Sequence, residues 1–321
     1  MWDDLRILDL EIRLVAEEDI RLPFFRENAL RAALGTSFRT TVCIYSKHYP
    51  CQECHLQQIC AYFQLFSASR GNMPAGNSSP PYLSFFAPST PTHVKAGTSV
   101  TVYLRLMGTA VSYYPYFYFC LENMSRTGIG LRNENGKRGR FVVDRIYSLS
   151  PGGQKNVIFS RNASIRLENV HPLPLGDYID FLEVQTLTVR TLSPLRIKHL
   201  NRLTDDLEFH VLFRSVLRRM TSLYYWTTGR YPVLDAARLL EKAATIRRVC
   251  SSLRWFDYRR YSTTQQMDMK LGGVVGKVRY QGDLTDLYPY IKAGEVLGVG
   301  KSLSFGFGRY EVSIEEEGQS D

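Results

Sequence analysis

Gly294-Glu-Val-Leu-Gly298-Val-Gly300-Lys301-Ser-Leu-Ser-Phe305-Gly306-Phe307-Gly308-Arg309-Tyr310 lies near the C-terminal end of this 321-residue chain. Five glycines fall within fifteen residues, with Lys301 among them and Arg309 just after. Such density lets the backbone take positive φ and approach a partner without side chains in the way. Consecutive unblocked N–H groups form a concavity suited to anions, so the stretch reads as a phosphate cradle. It ends in an alternation, Tyr310, Val312 and Ile314 against Arg309, Glu311 and Ser313, which predicts a half-buried last strand. A nucleotide P-loop is excluded: Glu295 stands where that motif needs glycine, and a strand rather than a long helix follows.

Upstream of the loop, Asp283 to Ile291 predicts a helix, and Leu253–Tyr261 with Met269–Tyr280 a pair of strands. Leu234, Ala237, Leu240 and Ala244 mark one more helix. A long helix is expected from Leu203 to Tyr225, with Leu203, Leu207, Val211 and Met220 on its apolar side and Arg214, Arg218 and Arg219 elsewhere. Leu182 to Val189 is a β-branched strand.

The first half carries a similar series. Leu8, Leu10, Ile12 and Leu14 alternate with charges as a strand, and Pro23 opens a helix bearing Arg26, Arg31 and Arg39. Val100 to Leu106 and Phe141 to Leu149 are strands, with an aromatic helix from Val111 to Met124 between them. The order strand–helix–strand–strand–helix–strand thus occurs twice, with one extra helix. The expected fold class is α+β: two tandem ferredoxin-like (RRM-like) domains, 1–176 and 177–321, divided near Pro172-Leu-Pro-Leu-Gly176.

A cysteine-rich insertion interrupts the first domain. Cys43, Cys51, Cys54 and Cys60, four of the chain's six cysteines, fall within eighteen residues. Cys51-Gln-Glu-Cys54 has the spacing that places two thiolates on one metal, and the flanking pair completes a tetrahedral set. The expected cofactor is a structural metal, with zinc and an iron–sulfur cluster both open and His55 able to replace one ligand. The alternative is four unligated thiols in a loop.

Charge narrows the partner class. Forty Lys+Arg against 31 Asp+Glu give a formal charge of +9, which suits a polyanion. Twenty tyrosines and 17 phenylalanines would suit single-stranded nucleic acid wherever they are exposed beside cations. No apolar run has transmembrane length, and the acidic start Met1-Trp-Asp-Asp lacks a signal-peptide core, so no membrane partner and a cytoplasmic setting are expected.

Several motifs together resemble the repeat-RNA-processing endoribonucleases of CRISPR systems, within the repeat-associated mysterious protein (RAMP) superfamily. They are Gly272-Gly-Val-Val-Gly276, Gly282-Asp-Leu, the glycine stretch through Phe305-Gly-Phe-Gly-Arg309, Thr191-Leu-Ser-Pro-Leu, Leu30-Arg-Ala-Ala-Leu-Gly35 and Cys60-Ala-Tyr-Phe-Gln-Leu-Phe66. The resemblance implies binding of CRISPR repeat RNA and one cut per repeat, with no nucleotide or metal cofactor for catalysis. The 2′-OH attacks the adjacent phosphate and leaves a 2′,3′-cyclic phosphate and a 5′-OH. It also implies Gly298, Gly300, Gly306 and Gly308 beside the RNA backbone, with Lys301 and Arg309 on phosphates and Arg259, Arg260, Lys270, Arg31 and Arg39 extending the track. The alternative is a non-catalytic RNA-binding subunit of a CRISPR effector complex.

The reaction needs a base, an acid and cations. The resemblance places a histidine at or after the first helix, and here the nearest is His48, with Lys47 as a cation and Tyr45 as a second proton carrier. His55 competes, then His199 and His210, while His93 and His171 beside Pro-rich turns rank lower. Arg31 or Arg39 would serve if no histidine does.

Overall fold

The computed structural model describes residues 1–45, 49–67, 80–163, 165–262 and 267–314. The alternation that begins the chain forms β1 (Arg6–Ala16), followed by β2 (Ile20–Arg21) and helix α1 (Glu27–Val42). Next come β3 (Tyr82–Phe86), β4 (His93–Val94) and β5 (Ser99–Met107). Helix α2 (Tyr114–Thr127) starts with Pro115 in its first turn, where the missing N–H costs nothing, and stops at Gly128 with φ 74°. Then follow β6 (Phe141–Leu149), β7 (Lys155–Ser160) and β8 (Leu173–Pro174). The sheet order is β3-β5-β1-β6-β7, with β8 on β1 and every pair antiparallel.

The second half opens with β9 (Thr186–Thr191) and a small hairpin, β10 (Lys198–His199) with β11 (Arg202–Leu203). Helices α3 (Phe209–Thr228) and α4 (Ala236–Thr245) lead to β12 (Arg247–Ser251). A long hairpin, β13 (Arg254–Ser262) with β14 (Met267–Val275), stands apart from the sheet. Then come β15 (Lys277–Gln281), α5 (Tyr288–Leu297) and β16 (Tyr310–Ile314). The second sheet runs β12-β15-β9-β16, again antiparallel throughout. The sequence's repeated order is therefore present. In each half the first strand lies inside the sheet between the third and fourth of the series.

Four expectations need correction. The last helix, α5, spans Tyr288–Leu297 and not Asp283 to Ile291. Helix α1 begins at Glu27 instead of Pro23, because Phe25 turns aside to pack on Phe307 and Leu271. Helix α3 begins at Phe209 instead of Leu203: Leu200 and Asn201 take φ 46° and 64°, which reverses the chain into the β10–β11 hairpin and leaves Leu203 exposed. The expected strand Met269–Tyr280 is two strands, broken at Gly276 with φ 131°.

Each half buries its own core. One lies around Leu30, Leu34, Phe38, Phe117 and Phe141, the other around Val189, Phe209, Phe213, Tyr280 and Leu297. The second core also takes in Leu5, Ile7 and Leu175, so the stretch expected as a boundary lies where the cores meet. Two arginines bridge the halves. Arg219 of α3 is 4% exposed and donates to the carbonyls of Leu297 (3.2 Å) and Pro80 (2.8 Å). Burial lowers its pKa to about 9. Arg105 of β5 donates to Asp9 (2.8 Å) and to the Val296 carbonyl (2.6 Å). Among the described residues no helix is long and apolar enough to cross a membrane.

Candidate nucleic-acid interface

The glycine loop joins α5 to β16 and is fastened along its length. Val299 N–H donates to Gly308, Lys301 N–H to Arg196, Gly308 N–H to Pro194, and the N–H groups of Phe305, Gly306 and Phe307 to Ser302 or Leu303. These donors are engaged within the protein, so a phosphate cradle built from them is corrected: anion binding here falls to side chains. The space freed by the glycines is likewise filled. A Cβ on Gly308, at φ +81°, would lie 2.3 Å from the Val299 carbonyl oxygen, and one on Gly300, at φ +87°, 2.5 Å from that of Arg196. Those two glycines are demanded by the loop's own packing.

The loop's two cations have opposite surroundings. Lys301 is half-buried; burial lowers its pKa, and Lys198, Arg218 and Arg196 lower it further. Arg196 donates to the Gly272 carbonyl at 2.6 Å and is itself lowered by burial. Arg218 comes from the one open stripe of α3. Residues 211–213, 215–217, 219 and 220 of that helix are buried, whereas Arg214 and Arg218 are exposed and His210 is half-buried. Among the described residues no carboxylate pairs with Lys301, Lys198, Arg214 or Arg218. Like charges held together without counter-ions are what a bound polyanion would neutralise.

Arg309 is enclosed instead. Its guanidinium lies 3.3 Å from the centroid of the Phe85 ring, and burial lowers its pKa to about 10 against the pull of Glu27. It borders a cavity of about 630 Å³ whose walls include Asp177 and Asp180 together with the ion pairs Arg105–Asp9 and Lys292–Glu295. Enclosure against Phe85 and the nearness of Glu27 leave it little charge or surface to offer a phosphate.

Helix α1 meets the loop on its other side. The Arg31 guanidinium sits 4.7 Å from the centroid of Phe305 and its Nε is buried without a partner. Asn28 donates to the Tyr258 hydroxyl of the long hairpin at 3.0 Å. Glu27 packs where a Cβ on Gly306 would go, and burial raises its pKa. Its place at the loop was invisible in sequence. Arg39 points elsewhere, donating to the Tyr49 carbonyl at 2.8 Å. On the long hairpin the backbone sets Arg259 opposite Lys270 and Arg260 opposite Met269.

Lys47 and His48 lie outside the described residues. Tyr45 stacks on Tyr49, with ring centroids 4.7 Å apart. Cys43, Cys51, Cys54 and Cys60 are half-buried, and burial raises the Cys51 thiol's pKa, with Cys60, Cys43 and Cys54 adding and Arg39 opposing. Among the described residues no three His, Cys, Asp or Glu side chains are arranged to hold a metal ion. Of the histidines, His55, His93 and His171 are exposed, whereas His199 and His210 are half-buried and pack together, ring centroids 5.7 Å apart.

Comparison with known proteins identifies both halves. The family model described as CRISPR-associated endoribonuclease Cas6 matches residues 189–310, and the AF_1859_N model, an N-terminal domain, matches residues 5–171. An uncharacterised protein of Archaeoglobus fulgidus is 22% identical over 314 residues, 96% of this chain and 98% of that one. The structure of Thermus thermophilus Cas6 aligns over 96% of this chain and 99% of its own, with a TM-score of 0.55 at 11% identity. A Cas6 product complex reaches 0.58 at 11% identity, covering 96% of this chain and 100% of that one. A partial Cas6-RT-Cas1–Cas2 complex reaches 0.57 at 11% identity, over 98% of this chain but 47% of that one. The structural likenesses establish the fold, a mixed α/β arrangement shared with Cas6. With the AF_1859_N model covering more than half of its length, the chain belongs to the AF_1859_N family, and over residues 189–310 it is similar to Cas6.

Proposed function

We propose that the protein is a metal-independent endoribonuclease that binds CRISPR repeat RNA across two tandem ferredoxin-like domains and cleaves within each repeat. The observation that carries this reading is the group of unneutralised cations, Lys301, Lys198, Arg218 and Arg196, gathered at the glycine loop inside the Cas6-matching region. Held together without carboxylates, they suit successive phosphates of a strand, and they would stabilise the charge that grows on the phosphate during attack. The reaction takes a proton from the 2′-OH and gives one to the departing 5′ oxygen, work suited to imidazole at neutral pH. His48, flanked by Lys47 and Tyr45, is the candidate that the first-helix position supplies. The four-cysteine segment would have to draw its thiols together to hold a structural metal, and one zinc, or iron in its place, per chain is the expected result of elemental analysis.

Incubation of end-labelled repeat RNA with the protein in EDTA tests the reading. Expected products end in 5′-OH and 2′,3′-cyclic phosphate. A shifted but intact RNA favours the second reading, a non-catalytic subunit that keeps the RNA in an effector complex. That reading draws on α1, whose residues 27–42 include no histidine.

A further inference from the structure

We infer that His199 and His210 form the acid–base pair of this site, an inference that rests on the RNA-cleaving reading and names its proton carriers. The two residues are eleven apart in sequence, yet their rings meet edge to face at 5.7 Å between centroids, with an interplanar angle of 75°. His199 sits in the β10–β11 hairpin, paired with Arg202, and His210 in the first turn of α3. Both are half-buried, which limits their motion while leaving them open to a ligand.

Their surroundings are those the reaction requires. Lys198, next to His199, acts on Lys301, and Arg214 and Arg218 continue the open stripe of α3 that begins at His210. Two of the three acids between them are engaged elsewhere: Asp206 and Glu208 both pair with Arg248, at 2.6 and 2.8 Å, while Asp205 is exposed. A third feature is the hairpin tip. Leu200 and Asn201 hold φ 46° and 64°, and Leu200 is 82% exposed. Positive φ at both positions is the ordinary geometry of a two-residue hairpin turn, and it leaves the Leu200 side chain in solvent next to His199.

In the proposed step one imidazole takes the 2′-OH proton as the 2′ oxygen bonds to phosphorus. The P–O5′ bond breaks, and the other ring, protonated at the start, gives its proton to the 5′ oxygen. The cyclic phosphate and 5′-OH leave, and exchange with water restores the pair.

The test is single-turnover cleavage in EDTA by the wild type, His199→Ala, His210→Ala and His48→Ala. Gel shift with repeat RNA carrying a 2′-deoxynucleotide at the cut reports binding and folding. Each substitution in the pair is expected to slow cleavage at least ~100-fold, to leave binding within about threefold, and to be partly rescued by free imidazole, which a merely structural role would not allow. Wild-type rates in both variants, loss of binding without imidazole rescue, or loss of cleavage confined to His48→Ala each overturn the inference. Absence of cleavage by the wild type overturns the cleavage reading itself, and this inference with it.

Discussion

Lys301 and Arg309 occupy one loop and differ in almost everything but charge. Among the described residues Lys301 stands with other cations and no carboxylate to offset them; Arg309 is enclosed, stacked on Phe85 beside Glu27. The difference shows that a basic residue in a glycine-rich segment is not thereby a phosphate ligand. Its neighbours from distant parts of the chain decide. Lys301 is charge waiting for a counter-ion, whereas Arg309 holds the loop in place.

The sharpest way to break that comparison is Gly308→Ala, which forces a Cβ against the Val299 carbonyl at positive φ. A loss of more than about 3 kcal/mol in urea unfolding is expected, with RNA binding lost through the loop's collapse. Arg309→Ala should cost about 2 kcal/mol of stability by removing the stacked cation, while the folded fraction binds RNA nearly as before. A large affinity loss without destabilisation would erase the distinction between the two cations. Lys301→Ala should do the reverse: affinity falls on the order of tenfold and the slope of binding against log salt shrinks by about one, with the urea midpoint unchanged. The smallest effect is expected at Glu27→Gln. Burial raises the Glu27 pKa above its usual 4.5, so the native state favours the protonated form and its ionisation opposes folding as pH rises through and beyond that value. The variant should therefore be slightly more stable than the wild type at neutral pH, and the gain should vanish in acid.

Much of the architecture was legible because periodicity is a local property. β1, β5 and β16 carry the apolar–polar alternation that marked them, although α2 begins at Tyr114, three residues after the expected Val111. The errors arose where apolar spacing continued across a change of direction. Leu203, Leu207 and Val211 keep helical phase although the chain reverses at Leu200–Asn201, and Val275 to Val278 reads as one strand through the break at Gly276. The site was less legible. Lys301 was visible in its glycine setting, but Lys198 and Arg218 reach it from other elements, and nothing local pairs His199 with His210. Glu27 passed as an ordinary first-turn acid of a helix until the loop was seen packed on it.

The buried bridge at Arg219 also bears on how the molecule comes apart. A guanidinium grown from α3 that grips the carbonyls of both Leu297 and Pro80 cannot stay behind when either half opens, because it would be left in a dry interior with its donors idle. The two halves are in this sense a single thermodynamic unit. Heating should melt them in one transition, and nicking the backbone between 172 and 176 should leave the pieces clasped to each other.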